Sequence, residues 1–119
     1  MAEYIRTNDR EEYYFEERCF IRELLNNASS PDLSIAQARV EPGVTTVWHS
    51  LSGLEVYYIL SGEGLAEVAD SEYRVGPGDI VRINANERQR ITNTGSEYLL
   101  FLAICTPRFV PQNYRDLES

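Results

Sequence analysis

The chain has 119 residues, 43% of them apolar and 25% charged, which suits one ordinary globular domain with a core of its own. Its net charge of −8 excludes the basic face needed to neutralise nucleic-acid phosphates or to dock on an anionic membrane. There is no lysine and one histidine, His49, which closes Schiff-base chemistry and any multi-histidine zinc site within one chain.

Residues 1–32 differ from the rest. The run Glu11-Glu12-Tyr13-Tyr14-Phe15-Glu16-Glu17-Arg18 is acidic and aromatic together. Glutamate, arginine and leucine favour helix, whereas aromatics favour strand, and we read 18–25 as extended. Residues 26–32, rich in Asn and Ser and ending in Pro31-Asp32, form a loop. From residue 33 the pattern is short β-branched or apolar runs between turn signals. Residues 33–40 stop at Glu41-Pro42-Gly43, and 44–51 stop at Ser52-Gly53. Residues 55–60, 65–69, 73–75, 80–83 and 89–93 follow, with glycine-, asparagine- or aspartate-bearing turns between them. The last strand, 98–105, stops at Thr106-Pro107. Regular short strands without a convincing helix predict an all-β sandwich or barrel. The chain therefore divides into an extension over 1–32, a barrel over 33–106, and a tail over 107–119 that is expected to lie on the surface or fray. Cys19 and Cys105 form no C-x-x-C pair and no disulfide framework. The N-terminus lacks an apolar signal region, and the longest apolar run is too short for a membrane span, so a cytoplasmic location is expected.

Two sets of spacings carry more. Gly43 is followed by five residues, then His49, Ser50 and Leu51; three more lead to Glu55 and six more to Gly62. Later, Gly78 is followed by five residues, then Asn84, Asn86, Gln89 and Asn93 in order. These resemble the two motifs of the cupin superfamily, G-x5-H-x-H-x3-4-E-x6-G and G-x5-P-x-G-x2-H-x3-N. Leu51 stands for the second histidine, Asn84 for the proline, Asn86 for the glycine and Gln89 for the last histidine. The resemblance spans 34–106 and implies a double-stranded β-helix, the cupin jelly-roll barrel. The standard member of that family holds a divalent metal with three imidazoles and one carboxylate. Carried onto this chain, those positions are His49, Leu51, Glu55 and Gln89.

Three readings of the remaining polar residues stand side by side. His49, Glu55 and Gln89 can hold a divalent metal (Zn, Mn, Fe or Ni) weakly, because an amide oxygen is a modest neutral donor. They can instead form a hydrogen-bonded polar cluster within the barrel. Some cupin epimerases work without metal, using a histidine and a tyrosine; by that resemblance His49 is a catalytic base and Tyr57 a proton donor, and Glu55 can orient His49 and raise its basicity. Tyr57 lies two residues beyond Glu55 and so shares its face; Trp48 and Tyr58 have the opposite parity. Arg82, Arg88 and Arg90 are expected outside, and Arg39 at the barrel mouth. Cys105 is expected buried and Cys19 less covered, neither a nucleophile. The function expected is binding of a small molecule in the barrel cavity, as a metal-dependent enzyme acting on a sugar or small organic acid. The alternative is a non-catalytic binding module with a degenerate, metal-free site. Residues 98–105 are apolar on both faces, so the N-terminal segment or a second copy must cover one of them; a homodimer is expected.

Overall fold

A computed structural model describes residues 2–119, and within them eleven strands. In chain order these are β1 (Glu12–Phe15), β2 (Cys19–Leu25), β3 (Ser34–Val40), β4 (His49–Leu51), β5 (Leu54–Ser61) and β6 (Gly64–Val68). Then come β7 (Ser71–Val75), β8 (Ile80–Ile83), β9 (Gln89–Asn93), β10 (Leu99–Thr106) and β11 (Tyr114–Asp116), the last preceded by a 3-10 turn, Pro111–Asn113. One sheet has the order β1-β2-β3-β10-β5-β8 and the other β11-β4-β9-β6-β7. Every pairing is antiparallel. Neighbours distant in sequence, such as β3 and β10, are what a jelly roll requires. Among the described residues no helix is long and apolar enough to cross a membrane.

The core follows from period-two alternation. On β5, Glu55, Tyr57 and Ile59 are buried while Tyr58 and Leu60 are exposed. Val40, Ile83, Ile91, Leu99 and Phe101 join Ile59 between the sheets. Full burial of each such side chain contributes about 1.5–3 kcal/mol. Turn chemistry sets the corners. Gly62 has φ +88°, and a Cβ there would sit 2.5 Å from the Tyr98 carbonyl oxygen, so only glycine fits. Asn86, at a position where the motif it resembles carries glycine, also has positive φ, 69°; asparagine tolerates that region better than most residues.

Four expectations change. Residues 44–51 are not one continuous strand: only His49–Leu51 is regular, with an isolated Thr45–Thr92 bridge before it. The reason is that the Ile91 amide donates to the Thr46 hydroxyl at 2.9 Å while the Thr46 amide donates to the Ile91 carbonyl at 2.9 Å, so a side chain takes one of the two ladder bonds. The tail does not fray. Its β11 pairs with β4, the Ser52 amide donates to the Asn113 carbonyl at 2.9 Å, and the Leu117 amide donates to the Trp48 carbonyl at 2.9 Å. Cys19 is not partly covered but 1% exposed. The N-terminal hairpin does not cover the outer face of β10; it extends the sheet sideways through the β2–β3 pairing. Its turn is tied down by the Val47 amide donating to the Glu17 carbonyl at 3.0 Å and by Arg18 Nε donating to the Thr45 carbonyl at 2.8 Å.

Candidate functional site

A cavity of about 70 Å³ opens between the two sheets, beneath the β1–β2 turn and β11. That is room for several waters or a small organic molecule. His49 reaches it from β4, Glu55 and Tyr57 from β5, Cys105 from β10, Tyr114 from β11, and Glu17 from the β1–β2 turn.

His49 is 2% exposed. Its Nδ1 lies 2.7 Å from the Val47 carbonyl oxygen. A carbonyl only accepts, so Nδ1 carries the proton and Nε2 is bare in the neutral ring. Nε2 lies 3.4 Å from Oε2 of Glu17. Burial lowers the imidazole pKa below its usual value, against the raising influence of the Val47 carbonyl and Asp116. Glu17 is held well above the usual carboxyl range, first by burial and then by the charge of Glu55. Its Oε1 accepts from the Cys19 thiol at 3.8 Å. Burial thus favours the neutral form of both members of the pair. The ring also stacks on Tyr114, centroids 5.2 Å apart at 17°.

Glu55 is 6% exposed. Burial pushes its pKa from the usual 4.5 to about 7, with the Gln89 and Cys105 side chains pulling it back. Its Oε2 accepts from the Cys105 thiol at 3.8 Å. Its Oε1 is buried and makes no hydrogen bond, although the Gln89 side chain lies near enough to favour the ionised form. The Tyr57 hydroxyl does not point to Glu55's free oxygen but donates to Oε1 of Gln89. The Tyr57 ring packs on Phe101 at 4.6 Å, and burial, then the charges of Glu55 and Glu17, hold the hydroxyl protonated. Gln89 pairs opposite His49 in the β4–β9 ladder and is 1% exposed. It does not line the cavity.

His49, Glu55 and Tyr57 therefore meet at one cavity, and Gln89 braces Tyr57. Arg39 is not at the mouth. It lies on the outer sheet face, bonded to Glu12 at 2.8 Å and held over the rings of Phe20 and Tyr98 at 4.1 and 4.6 Å. Arg88 and Arg90 flank Trp48 at 4.6 and 4.3 Å and pair with Asp70 and Glu67, outside the cavity as parity predicts. Sequence reasoning missed Glu17 and Tyr114. The one available signal for Glu17 was a carboxylate set among aromatics ahead of a strand; nothing local linked either residue to His49.

The sequence profile described as the cupin domain matches residues 36–105, more than half of the chain. The protein belongs to the cupin family. Over 109 residues this cupin is 32% identical to an uncharacterized protein of Methanocaldococcus jannaschii, covering 89% of this chain and 85% of that protein. It is 34% identical over 70 residues to the oxalate-binding protein of Thermotoga maritima, 58% of each chain. Bacillus subtilis oxalate decarboxylase superposes with a TM-score of 0.84 at 19% identity, over 98% of this chain and 33% of that one. That likeness establishes the jelly-roll fold and no more.

Cupins commonly bind a divalent metal, and the side chains of this cupin do not suit one as they are arranged. With Nδ1 bound to a carbonyl, His49 could ligate through Nε2 alone, and Nε2 faces Glu17. The Gln89 oxygen accepts from Tyr57, and Leu51 offers no donor. Among the described residues no three His, Cys, Asp or Glu side chains gather closely enough to hold an ion. Oε1 of Glu55 is buried and free.

Proposed function

We propose that this cupin binds a small organic molecule in its barrel cavity and that Glu55 moves a proton to or from it. One observation carries the reading: a carboxyl oxygen on the cavity wall, buried and without a partner, on a group titrating at about 7. A buried acceptor left unsatisfied costs about 1–3 kcal/mol, a cost that a ligand donor would relieve. A carboxyl with that pKa populates both forms at neutral pH, so it serves as acid or as base. The Cys105 thiol holds Oε2 and so aims Oε1. Across the cavity, Oε2 of Glu17 and Nε2 of His49 lie 3.4 Å apart and can share a second proton. Tyr57 and Gln89 act as struts for the strand rather than as reacting groups. Leu51 and Phe101 supply the apolar wall against which a carbon skeleton packs.

The test is a thermal-shift screen of small polar metabolites against wild type and Ala36→Phe, which fills the cavity from β3. Stabilising compounds are then incubated in heavy water. Deuterium entering the ligand with wild type, and not with Glu55→Gln at a ligand concentration that saturates the variant, is the result expected. Binding without any exchange would reduce the protein to a binding module. Elemental analysis is expected to find substoichiometric metal; a full equivalent that disappears in His49→Ala would overturn the assignment of the chemistry to side chains alone.

A further inference from the structure

We infer that the cavity is shaped for a small organic cation, an amine or quaternary ammonium group on a short apolar body. This rests on the reading that the cavity takes a ligand, and it names the ligand's class. Three observations converge. The acidic groups on the wall are Glu17, Glu23 and Glu55, and no arginine joins them; the chain has no lysine at all. Arginines stand close by in sequence, but alternation turns them out. Arg22 lies between the wall residues Ile21 and Glu23, and Arg39 follows Ala38 and is bonded to Glu12 on the outer face. The second observation is Oε1 of Glu55, buried and unpartnered on that wall. It offers a ready acceptor for an ammonium proton or a full charge for a quaternary centre. The third is the set of rings. Tyr114 meets Phe15 edge to face at 5.5 Å and Phe109 at 6.4 Å, and all three line the cavity. Ring faces carry negative potential, and cations seat against them.

An anion meets the opposite conditions. A dicarboxylate such as oxalate would enter a low-dielectric space lined by carboxyls, where His49 is the one group able to take a positive charge and burial disfavours its charged form. Burial first, and for Glu17 also the charge of Glu55, raises both carboxyl pKa values, with no positive neighbour offsetting it. A bound cation supplies one, and both carboxyls then favour the ionised form.

The experiment is calorimetric titration and thermal shift with four probes: tetramethylammonium, ethylammonium, tert-butanol as a neutral molecule of similar size, and oxalate. Both cations are expected to bind and stabilise wild type more than tert-butanol does, with no effect of oxalate. Glu55→Gln is expected to weaken cation binding by about thirtyfold or more, and Ala36→Phe to abolish it. Glu17→Gln serves as the second carboxyl variant if Glu55→Gln fails to fold. Cation binding that survives both the cavity-filling and the carboxyl variants would be surface binding and would overturn the inference. Failure of both cations to bind would overturn it too. Oxalate or tert-butanol binding as tightly as the cations, and lost in Ala36→Phe, would overturn the cation class while leaving the cavity-binding reading intact.

Discussion

Glu55 shows how burial sets chemistry at a single side chain. Its carboxyl titrates at about 7 in the folded protein against a usual 4.5. The protonated form is the one the fold favours. Below pH 4.5 both the folded and unfolded chains hold the proton, and that stability is fully present. As pH rises toward 7 the unfolded chain ionises first, so folding stability falls, by about 3 kcal/mol in order of magnitude, and levels off above 7. Glu17, also raised, acts in the same direction. His49, lowered, acts oppositely, adding stability as pH rises toward 6.5. Melting temperatures measured across that range are expected to decline in wild type and to decline less in Glu55→Gln; an unchanged slope in the variant would contradict the assignment. Tyr57→Phe removes the hydroxyl that satisfies Gln89. Leaving that buried carbonyl bare is expected to cost about 1–3 kcal/mol in urea unfolding. At this scale the inward placing of His49, Glu55 and Tyr57 was legible, because positions two apart on a strand share a face. Glu17 was not: its contact with His49 crosses 32 residues of chain and depends on where a hairpin turn lands.

At the level of elements, β11 closes the site. It seats Tyr114 against the His49 ring and covers the open edge of β4. Glu118 completes the closure, accepting from the Trp48 amide at 2.7 Å and from Arg18 at 3.1 Å. Deleting residues 111–119 is expected to raise amide exchange across Trp48 to Ser52 by about tenfold or more while leaving β6 and β9 protected. Equal exchange in the two forms would show that β4 holds without its partner. The corner at Gly62 makes a second case. Gly62→Ala combines positive φ with a backbone clash against Tyr98 and is expected to cost more than about 2 kcal/mol, read from denaturant midpoints. The strands were largely legible from alternation and turn residues. The tail was not, because two prolines and four charges read locally as loop, while a β-strand this short is stabilised only by its partner.

Across the whole molecule, the outer face of the larger sheet remains apolar around β10 and β5. Leu100, Leu102 and Ile104 on β10 are half-buried, and Tyr58, Leu60 and Ile80 beside them are exposed, Ile80 at 64%. Arg22 adds a buried Nε with no partner on the same face. An apolar patch of this kind marks an association surface, and we propose that two copies pair through it. Light scattering is expected to give twice the 13.6 kDa chain mass, and Leu102→Glu to return the monomer; a wild-type mass of one chain at micromolar concentration would refute the pairing.

Alternation of apolar and polar residues, with glycine and asparagine at the corners, determined the all-β barrel and put His49, Glu55 and Tyr57 on inward faces. Such patterns act over a few residues, where strand geometry is nearly invariant. Only tertiary structure decided that Glu17 and Tyr114 would close the cavity, that Gln89 would be occupied by Tyr57, and that one oxygen of Glu55 would be left free. Those outcomes depend on long-range packing between segments whose separation along the chain carries no periodic signal, so no local rule could have assigned them.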